Sequence, residues 1–183
     1  EVRCDFKYPR MSPHAVIWMR LCILDSLYDG QVNFWAAADD LSKATITPVK
    51  TPRQEYVIIT ALTVNEEFAK YARSKHANTG VSLIIIRNPE TGETFISPRK
   101  GYVEQTHVDH IARIVRLAEN KYRGRRNTLD MFELAKEGST SETPEWYFIH
   151  GNLHNRVTPS AIPLSELTRL ITAVLSRTIS WSS

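Results

Sequence analysis

The run Val81-Ser82-Leu83-Ile84-Ile85-Ile86 constrains the fold more than any other stretch of this chain. It is too short to cross a bilayer and too β-branched for a preferred helix, so it reads as a strand at the centre of a sheet. Its surroundings extend the argument. Tyr56 to Leu62 is a second β-branched and aromatic run, bounded upstream by Pro52 and Arg53, and also reads as a buried strand. Between the two, Thr63 is placed to cap a helix. Glu66 completes a capping box, Phe68, Ala69 and Ala72 supply a narrow apolar face, and Asn78 and Gly80 end it. On the far side, Asn88-Pro89-Glu90-Thr91-Gly92 turns the chain, and Glu93 to Ser97 returns as the second strand of a hairpin.

The chain has 183 residues, 42% hydrophobic and 23% charged, enough for one sizeable core and short for two. The expected class is α/β: a single domain built on a mixed sheet with flanking helices, and an N-terminal helical segment. Residues 1–50 are expected to form that segment and 51–183 the α/β core. A net charge of +3 allows an anionic partner without demanding one. Cys4 and Cys22 are too few for a disulfide framework, and with no apolar run of transmembrane length and no signal-peptide core, a reducing cytoplasmic setting is expected. The sequence starts at Glu1 rather than Met, as an excised fragment or a processed product would.

Taken in order, residues 1–11 alternate at Val2, Cys4, Phe6 and Tyr8 like an edge strand. Ser12-Pro13 starts a helix in which Val16, Ile17, Leu21, Leu24, Leu27 and Tyr28 recur at helical spacing, with Gly30 as its stop. Trp18, Cys22 and Ile23 widen that apolar surface beyond one core contact, so this helix is expected to contribute to a homodimer. Residues 31–41 are ambiguous, and 42–53, with three threonines and two prolines, read as an exposed connection. Thr106 is placed to cap the most regular helix. There Val108, Ile111, Ala112, Val115, Ala118 and Tyr122 form the buried stripe, with Arg113, Arg116, Asn120 and Arg123 on other faces. A shorter helix is expected over 129–137 with Leu129, Phe132, Leu134 and Ala135 inward. Trp146 to His150 reads as an aromatic strand, and Ser165 as the cap of a last helix.

The densest polar cluster is His150-Gly151-Asn152-Leu153-His154-Asn155-Arg156, directly after the aromatic strand. Its imidazoles can move protons, which makes His150 and His154 the candidate catalytic residues. Asn152 and Arg156 are candidate ligand contacts, since a guanidinium can hold a phosphate or carboxylate through two hydrogen bonds. A plain turn explains the same residues. The basic loop Arg99-Lys100-Gly101-Tyr102 adds two cations and a stacking surface. Lys121, Arg123, Arg125 and Arg126 read either as part of a nucleic-acid surface or as cations complementing a helix C-terminus. His107, Asp109 and His110 could ligate a metal, although Asp109 also suits a helix N-terminus, and Asp39-Asp40 reads as solvated surface by default. No phosphate-loop, dinucleotide or serine-hydrolase motif is present, and the sequence names neither a cofactor nor a metal.

Tyr56-Val57-Ile58-Ile59, Asn65-Glu66-Glu67-Phe68, Ile84-Ile85-Ile86-Arg87 and Phe95-Ile96-Ser97-Pro98-Arg99 follow one another in an order that resembles the C-terminal substrate-binding domain of DHH-family phosphoesterases. The resemblance spans Gln54 to Ser176, and Ile96-Ser97-Pro98-Arg99 matches that domain's short strand ending in a Ser-x-Arg substrate contact. Ile149-His150-Gly151-Asn152 stands where the family has a glycine-rich segment with a histidine that contacts phosphate. The family's manganese-binding aspartates and Asp-His-His motif find no match, because Val108-Asp109-His110-Ile111 lies in a different context. The resemblance implies a domain that binds a phosphate-bearing ligand, nucleotide or single-stranded nucleic acid, as the substrate-binding part of a phosphoesterase. The alternatives are a stand-alone metal-dependent hydrolase and a non-catalytic homo-oligomeric interaction protein. The last expectation is that the loop with His150, Asn152, His154 and Arg156 meets the Arg99-Lys100 loop in one anion-binding pocket.

Overall fold

The computed structural model describes residues 12–128, 130–155 and 158–176. Among them, six strands form one mixed sheet in the order β1-β2-β3-β4-β6-β5. The strands are β1 (Thr45–Lys50), β2 (Glu55–Leu62), β3 (Leu83–Arg87), β4 (Thr94–Pro98), β5 (Tyr147–Ile149) and β6 (Asn152–Asn155). Only β2 and β3 pair in parallel, joined by the crossover that holds the short helix α2 (Phe68–Ala72), and the other neighbours are antiparallel. The α/β class with flanking helices and an N-terminal helix is therefore present.

Strand alternation divides the core in two. Tyr56 and Ile58 of β2, Leu83 and Ile85 of β3, Ile96, Phe148 and Leu153 pack with α3 (Gln105–Tyr122) and α4 (Leu164–Ser176). Ile59, Ala61 and Ile84 point the other way, against α2 and the last turns of α1 (Pro13–Lys43). With both faces covered, β2 and β3 are apolar at nearly every position, which is why they dominate the sequence. Beyond β3, the cluster on the α1/α2 side ends at Ile84 and Ile86. The same face of β4, β6 and β5 carries Phe95, Ser97, Asn152, His154 and Tyr147 instead.

Several local expectations are corrected. Gly30 does not stop the first helix, because it keeps a helical backbone rather than the left-handed one a stop requires, and α1 runs unbroken for 31 residues. The segment expected to be an exposed connection contains β1, which pairs with β2 as an edge strand and carries Pro48 at that edge. Thr63 and Glu66 form no capping box. The Thr63 hydroxyl donates to Asp40 Oδ2 at 2.5 Å and accepts from Asn65 N–H, tying this loop to the end of α1. Helix α3 starts one residue before Thr106 with Glu104 as its cap residue, and Arg116 and Asn120 are buried rather than outward. Of the helix expected over 129–137, Leu129 lies outside the described residues, and over 130–137 the described chain forms a 3-10 turn at Glu133–Ala135; Leu134 is buried, while Phe132 is 82% exposed. Ser165 lies inside α4, after Leu164. The expected edge strand over 1–11 lies outside the described residues. No described helix is long and apolar enough to cross a membrane.

Candidate functional site

Strand β4 ends at Pro98 on the same sheet edge where the β5–β6 hairpin turns. Arg99 N–H donates to Ser82 O at 2.7 Å, and Arg99 O accepts from Tyr102 and Val103 N–H, so the loop folds back on itself. Gly101, at φ 81°, supplies the left-handed residue this reversal needs. The hairpin turn next to it is His150-Gly151, both with positive φ, and it holds position because His150 N–H donates to Glu137 Oε1 and Gly151 lies against Val108.

These two loops face each other across a cavity of about 700 Å³ lined by Arg99, Lys100, Tyr102, Glu104, His150 and neighbouring backbone. The Arg99 guanidinium lies 4.1 Å from the Tyr102 ring centroid, a stacking contact that orients it without neutralising it. Tyr102 thus supports a cation on one face and is about half exposed. The N-terminus of α3 opens on the same space, and its cap residue Glu104 makes no side-chain hydrogen bond to the first turn, which leaves the positive end of the macrodipole directed there. Glu104 is the acidic member, with its carboxylate 3.8 Å from His107 Nδ1.

Arg73 escaped the sequence reading, since one arginine at the end of a short helix carries no local signal. Its Nη2 donates to Ser97 O at 2.8 Å and Ser97 Oγ at 2.6 Å, and Ser97 Oγ donates to Asn152 Oδ1 at 2.7 Å. Burial and then the charge of Arg99 lower the Arg73 pKa. Asn152 is therefore a brace behind β4 and does not line the cavity.

His154 is placed elsewhere. It points to the face of the sheet away from α3 and lines a second cavity, of about 390 Å³, with Phe95, Asn88 and Glu93. Phe95, His154 and Tyr147 are register partners on adjacent strands and form one row of rings, His154 and Tyr147 being 5.3 Å apart. His150 and His154 thus belong to two cavities and are not brought together as an acid–base pair. Arg156 lies outside the described residues.

Three of the remaining candidates serve the fold. His107 is buried, edge-on to Tyr56 at 6.0 Å, Asp109 accepts from Gln105 Nε2, and Asp40 holds Thr63. Among the described residues, no group of three His, Cys, Asp or Glu side chains could hold a metal ion. Arg123 pairs with Glu119 and Glu145 and donates to Pro159 O, while Arg125 holds Glu145 through both terminal nitrogens. The basic set at the end of α3 is thus largely spent on the protein itself.

Fold and site together define an α/β domain with a basic cavity at one end of its sheet. No family model matches the chain, and it has no match among curated proteins or solved structures.

Proposed function

We propose that the domain binds a phosphate-bearing ligand in the cavity between the Arg99-Lys100 loop and the His150-Gly151 turn. The observation that carries this reading is the convergence of Arg99, Lys100 and His150 on one space, beside the uncapped N-terminus of α3. A phosphate there can accept charge-assisted hydrogen bonds from Arg99 and Lys100 and first-turn N–H donors from α3. Tyr102 fixes the arginine, and the imidazole of His150 lines the same cavity. The phrase Ile96-Ser97-Pro98-Arg99, one part of the resemblance to DHH-family phosphoesterases, supplies the arginine, and by that likeness the domain is the substrate-binding part of a cytoplasmic phosphoesterase. Titration calorimetry with inorganic phosphate and with a nucleoside monophosphate tests this. Binding should weaken in Arg99→Ala and Lys100→Ala and survive in His154→Ala, and indifference to both cation substitutions ends the proposal. Phosphatase activity dependent on added divalent metal would favour a hydrolase instead.

The row Phe95-His154-Tyr147 favours single-stranded nucleic acid over a mononucleotide as the ligand. Rings presented side by side on a sheet face can stack successive bases, and the Arg73-Ser97 contact connects that face to the Arg99 loop. A labelled oligonucleotide should then bind more tightly than a mononucleotide, with an affinity that falls in Tyr147→Ala and with rising salt.

A further inference from the structure

We infer that the N-terminal half of α1 is one strand of a parallel two-stranded coiled coil, and that its partner is a second copy of this chain. The inference stands on α1 alone and is independent of the cavity. Phe34, Ala37, Ala38 and Leu41 pack on the sheet, whereas the turns before them carry large apolar side chains into solvent. Ile17, Leu21, Leu24 and Tyr28 follow one another at spacings of four, three and four. They are 56%, 47%, 59% and 70% exposed, and Trp18, Leu27 and Val32, at 69%, 62% and 48%, widen the apolar surface on both flanks. That is the heptad period of a coiled-coil seam, with Leu21 and Tyr28 at one core position and Ile17 and Leu24 at the other. Gln31 occupies the next core position, a polar interruption of the kind that fixes register, and seven residues on Ala38 already packs on the sheet.

Charge identifies both the occupant and its direction. Arg20 and Asp25 flank the seam on opposite sides, five residues apart. In a parallel pair, Arg20 faces the partner's Asp25, and the two-fold axis repeats the contact, so a second copy supplies the complementary charges. An antiparallel pair instead sets each flank against the same flank of the partner, so Arg20 and the partner's Asp25 do not meet. The sheet-facing stripe lies on a different side of α1 from the seam, which leaves room for each domain to hang outward from the paired helices.

Sedimentation of the full chain is expected to give twice the mass of one chain, and a monomer at high concentration overturns the inference. Leu24→Glu should give a monomer that still unfolds in one cooperative transition, because Leu24 touches no core cluster; persistence of the dimer overturns it. Arg20→Asp and Asp25→Arg should each weaken the dimer, and the double variant should restore it. Failure of that rescue removes the parallel register. With Cys4 and the exposed Cys22 replaced by serine, Leu24→Cys should cross-link to a disulfide dimer on mild oxidation, and absence of the cross-link likewise overturns the geometry. A monomeric chain that sediments with lipid vesicles would show that a membrane surface, not a second copy, covers the seam.

Discussion

Arg99 and Arg116 are the same side chain in two opposite settings. Arg116 is fully buried, and its guanidinium donates to the carbonyls of Leu134, Lys136, Gly138 and Trp146, so burial lowers its pKa to about 10 while dipoles, not a carboxylate, hold it. Next to it, the fully buried Glu119 accepts from Trp146 Nε1, Ser160 Oγ, Ala161 N–H and Arg123 Nε, each at 2.7–2.9 Å. Together they fasten the loops after α3 to its flank. Arg99 lies against one ring at the mouth of a cavity, and among the described residues no carboxylate pairs with it. A charge whose partners are all supplied by the fold stabilises the fold. A charge left beside open space is available to a ligand.

The largest effect that would test this contrast is on stability. Glu119→Ala strands a tryptophan donor, a hydroxyl, a backbone N–H and Arg123 in a buried site, and should destabilise the domain by about 3–5 kcal/mol in denaturant unfolding. A loss below about 1 kcal/mol would place that network on the surface instead. Arg99→Ala should do the reverse. It should leave unfolding within about 0.5 kcal/mol of the parent and weaken phosphate binding by about 1.5–3 kcal/mol, read by calorimetry on the same samples. A destabilisation like that of Glu119→Ala would mean that Arg99 is structural.

A smaller effect concerns pH. Burial alone would push the Glu145 carboxyl up, but hydrogen bonds from Arg125 and from its own backbone, with the charges of Arg125 and Arg123, hold it below the ordinary carboxylate value. The unfolded chain therefore takes up this proton first as pH falls. The stabilisation is complete above the ordinary carboxylate pKa and drains away as pH drops toward the folded value. Thermal melts should show a shallower acid-side loss for Glu145→Gln than for the parent, and parallel acid limbs would refute the assignment. The smallest effect is expected from the exposed Arg126. Arg126→Ala should leave stability within about 0.5 kcal/mol and phosphate affinity unaltered, which would separate this end of α3 from the cavity.

Much of the fold was legible from local pattern. The runs that became β2 and β3, the hairpin strand β4, and the stripes of α3 and α4 all repeat at the period of their element, and the two-sided burial of β2 and β3 leaves a continuous apolar trace. The convergence of the Arg99 loop on His150 also had a local signal, since each follows a recognisable strand and the strands share one sheet. The edge strand β1 had none. Only Val49 of it is buried, and Pro48 argues against a strand until β2 lies beside it. Gly30 was misread because a glycine signals a helix end only when the chain turns there, and the next turns of α1 are held by the sheet.

The sequence by itself determined which segments are apolar, where the chain turns and which cations exist, because these depend on residues a few positions apart. Tertiary structure decided which of those cations are consumed. Arg116 and Asn120 became interior only when the chain beyond α3 folded back over them, and His150 and His154 parted because one sits in the turn while the other lies on a strand whose side chains alternate between faces. Partnership of charges across tens of residues leaves no periodic mark in a sequence; it is set when the sheet brings distant segments within hydrogen-bonding distance.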